Sequence, residues 1–155
     1  MKHLQFISII LLTTATVCQA QTNSHSIEKN KNYTGAVSSK KSYKAIFQLD
    51  TNDPKIITKT IRNINNALAD SRLAGKLTIE LIAFSGGTDA YLKESLYEND
   101  LKALVEKGVI IAQCNNTLRE RKIDPSQLYD FIAIVPSGVG ELIIREGEGW
   151  TIIKP

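Results

Sequence analysis

One side chain in this sequence has the makings of a nucleophile that needs no partner the chain lacks. Cys114 stands in VIIAQCNNTLRER, Val109 to Arg121, after a short apolar run and before Asn115, Asn116 and Thr117. The thiolate is the reactive form of cysteine, so its pKa sets its reactivity. Asn and Thr are residue types that start helices, and Asn115, Asn116 and Thr117 each qualify. Backbone N–H groups at a helix start stabilise an anion. A thiol held there is expected to ionise below the ~8.5 of free cysteine. Arg119 and Arg121 follow, with directions that the sequence does not give. A free cysteine also packs well as a small buried hydrophobe, and spacing alone leaves that alternative open.

The rest of the inventory narrows the chemistry. Both histidines, His3 and His25, precede the region expected to fold. Ser-His-Asp and Cys-His arrangements need a histidine base, so neither is available. Zinc sites draw on several Cys and His ligands, and no metal or cofactor is expected. There is no Cys-x-x-Cys pair for dithiol redox work. The other cysteine, Cys18, lies in the N-terminal segment. Loss of that segment would leave Cys114 as the single thiol, with no intramolecular disulfide to form.

The elements that must position Cys114 read as alternating strands and helices. YKAIFQL, Tyr43 to Leu49, is a strand, and DTNDP starts a helix with Asn52 or Asp53 as cap and Pro54 in the first turn. Ile57, Ile61, Ile64 and Leu68 recur on one helical face. LTIELIAF, Leu77 to Phe84, is an apolar strand of the kind covered on both faces. SGGT, Ser85 to Thr88, reads as a turn, followed by one helical region carrying Tyr91, Leu92, Leu96, Leu101, Leu104 and Val105, ended by Gly108. Val109 to Gln113 is the third strand, Phe131 to Pro136 the fourth and Trp150 to Pro155 the fifth. A short helical segment around Leu118, an Asp124-Pro125 helix start and a helix through SGVGELIIREGEG lie between them. The fold class is therefore α/β, a mostly parallel five-stranded sheet with helices on both faces. In such sheets, sites gather beyond the carboxyl ends of the strands. The loops there are Asp50–Asp53, Ser85–Thr88, Cys114–Thr117 and Ser137–Gly140. At the first of them, Asp53 is expected to serve as a helix cap and Asp50 as a turn residue rather than as an acid and base.

The N-terminal 20 residues, MKHLQFISIILLTTATVCQA, carry a lysine, a short apolar core and small residues at Cys18 and Ala20. That is the pattern of a signal peptide, so the protein is expected to be exported, to the periplasm. The apolar core is shorter than the ~20 residues a membrane span requires, so no stable membrane insertion is expected after cleavage. Residues 21–42, rich in Asn, Ser, Thr and Lys, read as a flexible leader, and residues 43–155 as one domain. The whole-chain charge of +3 sits in these ends. Without Lys2, Lys29, Lys31, Lys40, Lys41 and Glu28, the 19 basic and 16 acidic residues become 14 and 15, a net charge of −1. The domain thus lacks the overall basicity of a nucleic-acid binder. Its densest basic group, Arg119 to Lys122, is interrupted by Glu120.

GVIIAQCNNTLRERKIDPSQL, followed by IAIVPSGVGELIIREGEGWTIIKP, resembles the DsrE/DsrF-like family. Within it, the chain is similar to a small branch with Gly-Val, an apolar run, Cys-x-Asn-Thr, a later Val-Pro-x-Gly-Val and a terminal Gly-Trp-x-x-Ile-x-Pro. The opening YKAIFQLDTNDP fits as well, so the resemblance covers residues 43–155. It implies a three-layer α/β/α fold, a homo-oligomer (trimer or hexamer), and persulfide sulfur carried on a cysteine. Cys114 occupies the motif cysteine and inherits the sulfur-acceptor role. Asn116, Thr117, Pro136 and Gly138 match its other motif positions.

Three functions remain open on the residues. The first is a sulfur carrier, with Cys114 as acceptor and an unidentified sulfur donor or acceptor protein as partner. The second is a binding module without catalysis, its small ligand held by Asn115, Asn116, Thr117, Ser137 and Gly138 and by backbone cradles in SGGT and PSGVG. The third is a structural oligomer anchored by Tyr91, Tyr97 and Trp150.

Overall fold

A computed structural model describes residues 24–155. The signal-peptide reading of residues 1–20 lies outside them. Among the described residues, no helix is long and apolar enough to cross a membrane. The chain divides into two units, Met1–Val37 and Ser38–Pro155. In the described part of the first, residues 24–31 form a helix, α1, exposed along its whole length. The second unit holds the sheet.

That unit runs β1 (Tyr43–Leu49), α2 (Pro54–Ala69), β2 (Leu77–Ala83), a 3-10 helix (Ser85–Tyr91), α3 (Glu98–Glu106), β3 (Ile110–Cys114), α4 (Asn115–Arg121), a 3-10 turn (Pro125–Gln127), β4 (Ala133–Val135), α5 (Gly138–Gly147) and β5 (Thr151–Ile153). All five strands are parallel, in the order β4-β3-β2-β1-β5. Connections between parallel strands keep one hand, so the direction of travel across the sheet decides which face the connecting helix covers. From β1 to β4 the chain steps one way, and α2, α3 and α4 share a face. Ile57, Ile61 and Ile64 of α2, Leu101 and Leu104 of α3 and Leu118 of α4 pack there on Phe47, Leu49, Leu81 and Ile111. From β4 to β5 the direction reverses, and α5 lies on the opposite face. Its Leu142 packs with Ile46, Ile82, Ala112 and Trp150. The three-layer expectation holds.

Local sequence explains most of the boundaries. Asp53 caps α2, its carboxylate accepting the Lys55 N–H at 2.8 Å, with Pro54 in the first turn. Asp50, outside any helix, accepts from Gln48 at 3.0 Å and pairs with Lys154 at 2.7 Å. Gly108 follows α3 at φ 85°, a left-handed conformation that suits glycine.

The differences from expectation are physical. The helical region from Tyr91 to Val105 is two pieces. SGGT is no simple turn but the start of the 3-10 helix, and Leu96, between the pieces, is 95% exposed. A 3-10 helix is compact enough to bury Tyr91 completely, and its hydroxyl donates to Leu81 O at 3.2 Å. Gly87 is required by packing, since a Cβ there would lie 2.0 Å from Leu49 O. The two edge strands are shorter than the apolar runs suggest: β4 pairs only with β3, and β5 only with β1. Tyr91 and Trp150 are buried, so they are core residues rather than exposed interface anchors, and Tyr97 packs partly buried against the core.

Candidate functional site

β3 and β4 are neighbours whose connections leave to opposite faces, α4 to one and α5 to the other. Such a switch in direction opens a crevice beyond the carboxyl ends of the strands. Cys114 is the last residue of β3 and Ser137 follows β4, so the topology brings these two loops together. A cavity of about 320 Å³ lies there, lined by Phe84, Ser85, Cys114, Asn116, Thr117, Glu120, Arg121, Ser137 and Val139.

The helix cap is the cysteine itself, not Asn115, Asn116 or Thr117. Cys114 has extended backbone angles, φ −70° and ψ 118°, and α4 begins at the next residue. The strand extends one residue further than the apolar run because Cys114 still pairs with Val135 of β4. A capping side chain accepts from the second and third N–H groups of its helix. Here those belong to Asn116 and Thr117; the thiol makes no capping hydrogen bond, but both N–H groups favour its ionised form. A third N–H arrives from another element, at Gly138, the first residue of α5. That approach needs glycine: an added Cβ would lie 3.2 Å from Cys114 Cβ and 2.8 Å from Phe84 Cδ1.

Cys114 is 5% exposed, a free thiol at the cavity floor. Burial pushes its pKa up. The Gly138 N–H, the Thr117 N–H and hydroxyl, and the Asn116 N–H stabilise the thiolate and together outweigh burial, so the pKa lies below the ordinary cysteine value. These donors belong to the folded chain, so no reorganisation is needed when the charge forms.

The surroundings hold this geometry. Gln113, fully buried on the opposite face of β3, donates from Nε2 to Cys114 O and to Thr88 Oγ1, each at 2.9 Å. Ser137 caps α5, its hydroxyl accepting the Gly140 N–H at 3.1 Å. Thr117 and Arg121, one helical turn apart, take both backbone polar groups of Ser85. The Ser85 N–H donates to Thr117 Oγ1 at 3.0 Å, and Arg121 donates to Ser85 O at 2.9 Å. Arg121 also pairs with Asp89 at 2.5 Å. Arg119 turns instead to Asn116 Oδ1. Further along α5, Arg145 meets the buried Glu80 at 2.7 Å and Glu141 at 3.0 Å, and lies 4.3 Å from the Trp150 ring centroid. This cluster pins α5, and with it Gly138, to the sheet. Burial raises the Glu80 pKa against the opposing pull of Arg145.

Of the residues expected from sequence, Cys114, Asn116, Thr117 and Ser137 line the cavity, and Gly138 lies behind the sulfur. Asn115 is not among the lining residues. Phe84 and Glu120 were not among the expected site residues; Ser85 and Val139 were expected only as parts of the SGGT and PSGVG loops, and Arg121 only as one of two arginines of unknown direction. The four-residue spacing of Thr117 and Arg121 was the one local signal that they share a face. Of the two proposed backbone cradles, PSGVG supplies an N–H to the thiol, whereas the glycines of SGGT serve close packing against Leu49 and Thr51–Asn52. Among the described residues, no group of three or more His, Cys, Asp or Glu side chains could hold a metal ion.

Several solved structures are similar to this chain, among them the following three. A protein of unknown function from Methanobacterium thermoautotrophicum, MTH1491, is 33% identical with a TM-score of 0.70, and the match covers 74% of this chain and 100% of that one. A conserved protein of unknown function from Bacteroides thetaiotaomicron, BT1422, is 13% identical with a TM-score of 0.61, covering 78% of this chain and 100% of that one. The ychN protein from E. coli is 16% identical with a TM-score of 0.58, covering 74% of this chain and 99% of that one. The last two speak for the fold alone. No protein-family model matches the chain, and no curated protein matches it.

Proposed function

The chain belongs to the family of the methanobacterial protein MTH1491, and from that premise we propose that it is a sulfur carrier of DsrE/DsrF-like type, with Cys114 as the acceptor. The observation that carries this reading is the placement of a free thiol in the lining of a cavity, between the start of α4 and the close approach of Gly138 of α5, where the surrounding N–H groups and the Thr117 hydroxyl lower its pKa.

The chemistry balances without an oxidant. The Cys114 thiolate attacks the outer sulfur of a persulfide donor, R–S–SH. A new S–S bond forms on Cys114 as the donor's S–S bond breaks, and the donor leaves as thiolate with the electron pair. The product is Cys114–S–SH. Reversing the roles with a receiving thiolate passes the sulfur on and returns Cys114 to thiolate. Rates of such exchange follow thiolate fraction and access. The lowered pKa supports the first, and the cavity above the sulfur supports the second. Because the sulfur lies at a floor, the donor must be a small polysulfide or an extended cysteine of a partner protein.

Homo-oligomerisation, as trimer or hexamer, is part of the same proposal. Val139, Ile143 and Ile144 are exposed on α5, an apolar surface that a second copy would cover. Light scattering at increasing concentration tests it, and a strictly monomeric protein counts against it. With residues 1–20 read as a signal peptide, the transfer runs in the periplasm.

The test of the carrier function is intact mass after exposure to polysulfide, with Cys114→Ala alongside. A gain of one sulfur atom, reversed by reductant and absent from the variant, is expected. Modification that requires denaturation would leave Cys114 as a structural residue and favour a ligand-binding or structural module.

A further inference from the structure

We propose that Arg121 is a positioning residue for Cys114: it clamps the Ser85 turn, the clamped Ser85 N–H occupies the Thr117 hydroxyl oxygen, and the Thr117 proton is thereby turned onto the sulfur. The functional meaning of this relay rests on the sulfur-carrier reading, but its geometry does not.

Ser85 is the starting observation. Among the described residues, the non-glycine residues at positive φ are Ser85, at 51°, and Lys122, at 54°. Lys122 is explained as the left-handed end of α4. Ser85 ends no helix. It opens the 3-10 helix, and Gly86 and Gly87 stand directly after it, so a residue without strain is available in the sequence but one position away. A strained backbone persists only where its surroundings over-determine it. Both polar backbone groups of Ser85 are taken by side chains of α4: the N–H by Thr117 at 3.0 Å, the carbonyl by Arg121 at 2.9 Å. Arg121 is held in turn by Asp89 at 2.5 Å, and Asp89 accepts from Asn52 Nδ2 at 3.1 Å. The clamp therefore joins α4 to the 3-10 helix and the loop after β1.

The consequence falls on Thr117. A hydroxyl has one proton and two lone pairs. With the Ser85 N–H on its oxygen, the Thr117 hydroxyl keeps its proton for another acceptor, and the Cys114 sulfur shares its cavity. If the Ser85 turn relaxes, the N–H moves away and the hydroxyl is free to rotate. Arg121 thus acts through two hydrogen bonds rather than as a bare charge, and lysine, which keeps the charge but lacks the planar fork, cannot hold Ser85 O and Asp89 in the same way.

The experiment is a pH titration of the thiolate by its ultraviolet absorbance in the full protein, with melting curves to confirm folding. Thr117→Val is expected to raise the midpoint by about 1–2 pH units, the size of one lost hydrogen bond to a charged group. Thr117→Ser is expected to leave it in place. Arg121→Lys is expected to raise it by less, and the double variant Thr117→Val/Arg121→Lys by no more than Thr117→Val alone, because both act through one hydroxyl. An unmoved midpoint in Arg121→Lys overturns the proposal. So does an Arg121→Lys shift that persists undiminished in the Thr117→Val background, since it then acts directly on the thiolate. Should Arg121→Lys fail to fold, Asp89→Asn loosens the same clamp and is expected to shift the midpoint upward; no shift overturns the proposal. Polysulfide loading of the wild type separates the two levels. A midpoint that moves as expected without sulfur uptake removes the carrier function and leaves the relay. Uptake with an unmoved midpoint does the reverse.

Discussion

Replacing Gly138 with alanine tests the central contact of the site. Gly138 has no positive φ to protect, so alanine is compatible with its backbone, and in a helix the change alone would stabilise by roughly 0.5–1 kcal/mol. Space decides against it. The new methyl would lie 2.8 Å from Phe84 Cδ1 and 3.2 Å from both Phe84 Cβ and Cys114 Cβ. The Phe84 ring can turn aside, but the two Cβ atoms are fixed by β3 and by the residue after β2. The start of α5 must therefore back away by a few tenths of an ångström. Overpacking of this kind costs about 1–3 kcal/mol, leaving a net destabilisation of about 1–2 kcal/mol after the helix gain. The same retreat weakens the Gly138 N–H contact with the thiolate. A hydrogen bond to a charged group contributes about 1.5–3 kcal/mol, so its loss raises the Cys114 pKa by about 1–2 pH units. Denaturant melts and thiolate titration read the two effects separately. Gly147→Ala is the control: it lies in the same helix with nothing within 4 Å of an added Cβ, and should be neutral or stabilise by up to about 1 kcal/mol. A Gly138→Ala protein that melts lower but keeps its thiol midpoint would refute the donor role of Gly138 and leave only packing.

Three further outcomes are expected. The rate of Cys114 alkylation by a small haloacetamide should rise with pH through a midpoint below that of a free cysteine, because the folded donors favour the thiolate. By linkage, the stability these donors add is present above the unfolded thiol pKa and is lost as pH falls through the lower folded one; Cys114→Ser should flatten that part of the pH–stability profile. Arg145→Met should destabilise by about 3 kcal/mol in denaturant melts, because it leaves Glu80, 1% exposed, as a buried carboxylate without its cation; a loss under 1 kcal/mol would show that Glu80 is already protonated. Tyr43 should ionise at about 8 in an ultraviolet titration, since the Lys40 N–H and the Ser38 hydroxyl stabilise its phenolate; Tyr43→Phe should remove that transition, and a tyrosine midpoint near 10 would contradict it.

Much of this protein is determined locally and can be read from the chain. β1 is visible as YKAIFQL because its aromatic and aliphatic residues, Ala45, Ile46, Phe47 and Leu49, are the ones the sheet buries. α2 is visible because Asp53-Pro54 starts it and Ile57, Ile61 and Ile64 share one face. The placement of Cys114 beside the crevice is visible too, since the end of a strand in an alternating α/β chain faces it. Only the tertiary structure decided which groups meet there. Gly138 reaches Cys114 because β4 lies beside β3 while its connection returns across the opposite face, and the strand order that causes this is a long-range property. The role of Ser85 depends on side chains more than 30 residues away. Whether Arg119 or Arg121 faces the site depended on what the other loops present: Asp89 and the Ser85 carbonyl hold Arg121, and Asn116 holds Arg119. Residue type and spacing determine a local conformation because backbone sterics and capping act within a few positions. A thiol pKa is set by the groups around it in three dimensions, and one of its main donors, the Gly138 N–H, comes from a helix on the far side of another strand.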